Sequence, residues 1–249
     1  MSPVLLAVIL AASALVTSFI SGVLGMAGGL VLMGVLLALM PVPAAMMLHG
    51  ITQLASNGWR ALMWRRMVDW RVFRGYALGA FLVLLAFALL RFVVSKPLAL
   101  IAMGLTPFLS LALPERLHLN VERRGHPFVC GIVCSALSLA ARVSGPILDV
   151  FFVRSAMTRQ AVVATKAMTQ GFSHLTKIVY FGGIVVASEG VAVEPWIAAM
   201  MVLLAFTGTT LSVRVLQRMD DRSFRLWTKW TVMALGFFYL ASGVAMLAR

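Results

Sequence analysis

Apolar segments of roughly 20 residues recur along the whole chain, and they constrain the fold more than any other feature. Each is long enough to cross a bilayer as an α-helix, which takes about 17–25 residues. Charged residues make up only 12% of the 249 positions, about half the share found in a soluble domain. The short alternating segments that a β-barrel requires are absent from the sequence. We therefore predict an all-α, polytopic helical membrane protein.

The net charge of +13 does not indicate nucleic-acid binding, because the basic residues lie mainly in short loops between apolar segments. Lys and Arg in such loops mark the cytoplasmic side of a membrane protein. We therefore expect the loops 65–74, 114–126 and 214–225 on the inside. The loop 182–194, with Glu189 and Glu194 but no basic residue, is expected outside. This scheme predicts a multi-pass protein of the bacterial cytoplasmic (inner) membrane with both termini outside.

The residues argue against a cleaved signal peptide, a metal or cofactor site, and an enzyme. The first apolar run has no basic residue before it, as a secretory signal would, so we expect it to be retained as a helix. Cys130 and Cys134 lie four residues apart without further ligands nearby, so we expect packing and predict no metal or organic cofactor. An intramembrane enzyme would need a nucleophile–base set or a metal motif. Neither occurs, so we predict that the chain is not an enzyme.

A glycine-rich stretch, Gly25–Leu30, has a partner at Arg142–Ile147, 117 residues later. The same shift places Gly28 on Gly145 and Ala44 on Ala161. It also superimposes the polar residues of the helices that follow the two stretches. The chain is therefore predicted to contain two transmembrane repeats, 1–113 and 127–249, joined by the polar linker 114–126. With the loop assignment above, helix 44–64 runs inward and helix 158–181 runs outward, so the repeats have inverted topology.

Each glycine stretch joins a long apolar leg to a short one, 4–24 to 29–40 and 127–141 to 147–153. The twelve residues of 29–40 reach only about 18 Å, short of the ~30 Å hydrocarbon core. We therefore predict a glycine-broken helical hairpin in each repeat, with its break inside the membrane. Helix N-termini at Gly29 and Pro146 would offer free N–H groups and partial positive charge to an anion. Alternatively, the glycines serve only close helix packing.

The helix after each break carries one polar stripe, since 100° per residue places its polar side chains on one face. A charge at mid-bilayer costs about 2.5–3.5 kcal/mol, so the stripes are expected to face the protein interior. Alternatives stay open: Arg60 and Lys177 can snorkel to an interface, and the neutral residues can join helices by hydrogen bonds. Asp149 is expected either to pair with Arg142 or Lys166, or to carry a coupling proton. The stripes comprise His49, Thr52, Gln53, Ser56 and Arg60, and Lys166, Thr169, Gln170, Ser173 and Lys177.

These patterns predict one anion site between the two breaks and the two stripes. The residues predicted to bind substrate are Gly28, Gly29, Thr52, Gln53, Ser56, Arg142, Gly145, Pro146, Lys166, Thr169, Gln170 and Ser173. The residues considered for coupling or gating are His49, Arg60, Asp149, His174 and Lys177. The expected partners are a small anionic substrate and the lipid bilayer, with a homo-oligomer left open.

Several motifs together resemble the sulfite exporter TauE/SafE family over nearly the whole chain. They are the glycine-rich turn, the Val68–Arg71 loop, and in the second half Ser144–Leu148, Val163–Ala167 and His174–Tyr180. The resemblance implies an inner-membrane transporter of sulfite, sulfonates or related sulfur anions, usually directed outward. It also implies that relatives often have a glycine near the position of Arg142. The alternatives are a transporter of another small anion, an importer, or a membrane subunit that does not transport.

Overall fold

The computed structural model describes residues 2–24, 27–113, 119–186, 193–218 and 221–248. These residues form helices and the turns between them, which confirms the all-α prediction. A 3-10 turn spans Arg65–Met67, and a π-helical segment, Val179–Val186, continues α8. The α-helices are α1 (Pro3–Leu24), α2 (Ala27–Leu39), α3 (Val42–Met63), α4 (Trp70–Leu90), α5 (Lys96–Ala112), α6 (His126–Ala140), α7 (Gly145–Phe152), α8 (Arg159–Ile178), α9 (Pro195–Arg218) and α10 (Asp221–Leu247).

Within the described residues, four helical segments are long and apolar enough to cross a membrane. They are α1, α4, Pro195–Val215 of α9 and Lys229–Leu247 of α10. Large apolar side chains on these helices, such as Leu78 and Phe237, are exposed on the outside of the bundle. Exposed apolar surface of this extent suits a lipid environment rather than water. The polytopic membrane fold is therefore confirmed.

The helices of the two halves pair with each other rather than within their own half. The closest pairs are α1 with α9, α4 with α6, α3 with α8, and α5 with α10. Each helix of the first half corresponds in order to one of the second half, from α1 with α6 to α5 with α10. Under this correspondence the α1–α9 pair becomes the α6–α4 pair, and the α3–α8 and α5–α10 pairs each become themselves. This is the packing that two repeats related by a pseudo-two-fold axis would show. The inverted topology across the membrane stays a prediction.

Glycines permit the closest of these helix crossings. A methyl group on Gly79 of α4 would collide with the backbone of α6 at Phe128, and one on Gly131 of α6 would collide with the Tyr76 carbonyl of α4. Small residues at such contacts let membrane helices approach to backbone distance. At the α4–α6 crossing, Gly79 and Gly131 therefore serve close helix packing.

The short legs α2 and α7 lie at the centre of the bundle. Leu30, Leu32, Met33 and Leu36 of α2 are fully buried, as expected for a helix that is apolar on all sides. The Tyr239 hydroxyl of α10 donates to the Leu30 carbonyl at 2.8 Å. At thirteen and eight residues, both legs are too short to span the hydrocarbon core.

Three predicted loops are wrong in part. The π-helical segment Val179–Val186 extends over residues 182–186 of the predicted loop 182–194. The helix α4 begins at Trp70, inside the predicted loop 65–74, because the Asp69 side chain accepts from the Arg71 and Val72 amides as an N-cap. The predicted loop 214–225 is helical over 214–218 and from 221 onward. Basic residues in the last turn of α9 suit a helix C-terminus. Gly25, the linker residues 114–118 and Glu189 lie outside the described residues.

Candidate functional site

A cavity lies where the two breaks meet the polar stripes of α3 and α8. The space between its lining atoms, including the part that opens to the outside, is about 430 Å³. The first turn of α2 and the first turn of α7 both reach it, so each half of the chain contributes residues from a glycine stretch and from a polar stripe. The lining residues are Gly29, His49, Gln53, Asn57, Ser138, Arg142, Val143, Ser144, Gly145, Gln170, Ser173 and His174.

Arg142 supplies the cationic side chain of this lining. It is fully buried, and its Nη2 donates to the Val94 carbonyl at 2.7 Å. Its Nε and Nη1 have no hydrogen-bond partner among the described residues. Its backbone is left-handed, with φ at 67°, which is uncommon for a residue other than glycine. A buried guanidinium with two free donors is costly unless an anion pairs with it.

The two breaks add backbone donors to the same space. The first N–H groups of a helix have no partner within the helix, and Ser144 makes no side-chain cap at the start of α7. Gly29 lies in the first turn of α2, and Gly145 begins α7. Both residues line the cavity, so the partial positive charge of the two helix starts lies beside it.

The family model described as Sulfite exporter TauE/SafE matches residues 10–239, which include both breaks, both stripes and the whole cavity. The chain belongs to this family. No curated protein and no solved structure matches it. Membership confirms the resemblance seen in the motifs and implies membrane transport of sulfur anions such as sulfite. TauE/SafE proteins are transporters, not enzymes.

In this TauE/SafE chain, a line of hydrogen bonds connects one break to the other. His49 Nε2 donates to the Gly29 carbonyl at 3.0 Å, because a carbonyl can only accept. His49 Nδ1 is then free to accept from Lys177 Nζ at 3.4 Å. Lys177 Nζ also donates to the Arg142 carbonyl at 2.7 Å. Lys177 is fully buried, so the alternative that it snorkels to an interface is wrong.

Arg60 occupies the matching position in the first repeat. Its Nη2 donates at 3.0 Å to the carbonyl of Ser21, which lies in the last turn of α1. Lys177 binds the carbonyl of Arg142, just beyond the end of α6. Each stripe cation therefore neutralises the C-terminal end of the broken helix in its own repeat.

Lys166 and Asp149 form an ion pair with side chains that are 24% and 37% exposed. This is one of the two pairs predicted for Asp149. Neither residue lines the cavity. The pair joins α8 to α7, the short leg that begins at the second break.

The remaining predicted residues do not line the cavity. Gly28 packs against the Thr17 carbonyl of α1, and Pro146 is buried in the first turn of α7. Ser56 bonds Thr209 of α9 at 2.7 Å and so joins two helices, as the alternative for the neutral residues predicted. The hydroxyls of Thr52 and Thr169 donate to the Leu48 and Lys166 carbonyls of their own helices.

Four lining residues were not among the predicted site residues: Asn57, Ser138, Val143 and Ser144. Asn57 follows Gln53 by four residues and so continues the α3 stripe, a signal that the sequence contains. Ser138 precedes Arg142 by four residues on the α6 face that carries Cys130 and Cys134. Those two cysteines are themselves buried, with sulfur atoms 3.9 Å apart, and pack with Tyr76 of α4.

Proposed function

We propose that the cavity binds a small sulfur oxyanion, sulfite or an organosulfonate, and that the chain exports it across the cytoplasmic membrane. The observation that carries the proposal is the buried Arg142 guanidinium, whose Nε and Nη1 have no partner among the described residues. The starts of α2 and α7 supply further positive potential around it. Charge-assisted hydrogen bonds of this kind are the strong ones for oxyanions.

Neutral donors complete the proposed site. Gln53 and Gln170 lie at matched positions of the two stripes and both line the cavity. The Gln53 Nε2 has no partner among the described residues, so it is available to a substrate oxygen. Ser173 and Asn57 lie on the same faces. Amide and hydroxyl donors fix the orientation of an oxyanion whose charge the guanidinium and helix ends neutralise.

Export follows from the charge of the substrate. An inside-negative potential favours exit of an anion by about 2.3 kcal/mol per charge per 100 mV, so no coupling ion is required. We further propose two inverted repeats, 1–113 and 127–249, with both termini outside. One chain lines the cavity, so the proposal holds for a monomer and for a homo-oligomer.

Purified protein in liposomes tests the proposal. Sulfite should leave protein-containing liposomes faster than empty ones, and an inside-negative potential should accelerate its exit. Arg142→Gln should reduce the flux at least about tenfold, because a hydrogen bond to a charged group contributes about 1.5–3 kcal/mol. Flux no faster than in empty liposomes, with a panel of sulfur anions, would favour a non-transporting subunit and overturn the proposal.

A further inference from the structure

The charges around the cavity differ in whether they are already compensated. Lys177 and Arg60 are bonded to carbonyls at the C-terminal ends of broken helices, and Lys166 is paired with Asp149. Arg142 is different, because two of its buried guanidinium nitrogens, Nε and Nη1, have no hydrogen-bond partner among the described residues. Its charge is therefore available to a ligand.

The histidines add no full charge to this balance. His49 donates from Nε2 to Gly29 and presents Nδ1 to the Lys177 ammonium, so its ring carries a single proton. His174 packs edge-on against His49 with ring centroids 5.4 Å apart. Without a bound anion, a second proton on either ring would be a buried charge with no carboxylate beside it among the described lining residues.

The helix starts contribute the rest. Each helix N-terminus is equivalent to about half a positive charge, and both α2 and α7 begin at the cavity. Together with Arg142 they present at least about two positive charges, because Lys177 and Arg60 more than offset the half negative charge of the helix ends that they bind. None of the described residues that line the cavity is acidic.

We infer that the cavity is built for a doubly charged oxyanion and discriminates against singly charged anions of the same shape. The inference rests on the proposed function and narrows its substrate class. A monoanion would leave about one more buried positive charge without a partner than a dianion would. Sulfite in its fully ionised form, and sulfonates that carry a second acidic group, meet this condition.

Competition against sulfite flux in liposomes tests the inference with two pyramidal oxyanions. Selenite is a dianion at alkaline pH, and chlorate is a monoanion that is isoelectronic with sulfite. At a pH where sulfite and selenite are doubly charged, selenite should inhibit at least about tenfold more strongly than chlorate. Equal inhibition by chlorate would overturn the inference and leave the proposed function standing. The absence of any sulfite flux would instead contradict the proposed function.

Two variants locate the source of the preference. Arg142→Gln should lower the ratio of selenite inhibition to chlorate inhibition several-fold, as measured on the sulfite flux that remains. Arg66→Gln, on the exposed turn after α3, removes the same charge away from the cavity and should keep the wild-type ratio. An equal loss in both variants would assign the preference to net protein charge and overturn the inference. If Arg142→Gln does not fold, the wild-type comparison decides alone.

Discussion

At the scale of the residue, Arg142 combines a strained backbone with an uncompensated side chain. The 117-residue shift places it opposite Gly25 of the first repeat, so an arginine stands where the matching position has glycine. The left-handed conformation costs a residue with a side chain about 1–2 kcal/mol. Such a cost persists where the surrounding structure enforces it, and it is concentrated at functional sites.

Arg142→Gly should therefore separate stability from function. Glycine adopts the left-handed conformation without strain and removes a buried charge, which offsets the lost bond to Val94. We expect the thermal unfolding temperature in detergent to stay equal or rise, while sulfite-dependent stabilisation disappears. A large fall in unfolding temperature would mean that Arg142 serves the fold instead of the substrate.

The stripe residues could be predicted from the sequence, but their partners could not. Lys166 and Lys177 lie eleven residues apart, about three helical turns, and therefore share one face. Helical periodicity therefore cannot show which partner each lysine binds. Only the packing shows that Lys177 reaches the Arg142 carbonyl and Lys166 reaches Asp149. The same limit applies to Ser56, whose partner Thr209 lies on the distant helix α9.

Lys166→Gln tests whether this lysine also serves the substrate, as the stripe pattern predicts. Since it lies outside the cavity lining and pairs with a partly exposed Asp149, we now expect a change in sulfite affinity below about threefold and a loss of stability below about 1 kcal/mol. Asp149→Asn should behave alike. A sharp loss of affinity in Lys166→Gln alone would place Lys166 in the site.

At the scale of the element, the repeat predicted which helices correspond but not every boundary. The helices α3 and α8 begin at Val42 and Arg159, which differ by the same 117 residues as the glycine stretches. The start of α4 was misplaced because Asp69 looks like one more charged loop residue, although it is an N-cap. The sequence did not predict that α9 extends past Arg214. Hydropathy shows where the apolar stretch ends, whereas the helix continues beyond that point to Arg218.

The helix crossings can be tested with a pair of glycines. Gly131→Ala should destabilise the protein by roughly 1–3 kcal/mol, since the added methyl overpacks the contact between α6 and the α4 backbone. Gly58→Ala is the matched control, because nothing lies within 4 Å of its added methyl, and it should gain up to about 1 kcal/mol of helix propensity. Thermal unfolding in detergent compares the stability of the two variants. Equal effects would contradict the close contact between α6 and the α4 backbone.

At the scale of the whole molecule, matched glycines and polar residues predict two repeats and a site between them, and both stay predictions. The sequence did not predict that each half packs mainly against the other. Many arrangements of the helices satisfy the same apolar pattern. Only the complementary shapes of the helix surfaces, such as those around Gly79 and Gly131, select among these arrangements.

Cysteine labelling tests the predicted topology. Cys130 and Cys134 are buried, so wild-type protein should not react with a membrane-impermeant maleimide. Ser95→Cys, in the exposed turn before α5, should react in intact cells. Arg66→Cys should react only in inside-out vesicles, since it lies in a basic cytoplasmic loop. Reversed labelling of the two sites would invert the assignment of inside and outside.

The pairing of α1 with α9 has a consequence for biosynthesis. About 170 residues separate the end of α1 from the start of α9, which a ribosome adds in roughly 10–35 s at 5–20 residues per second. During that interval the face of α1 that packs against α9 has entered the membrane without the surface that will cover it. Insertion of the first helices therefore precedes their packing, and the native bundle assembles only after α9 and α10 have been synthesised.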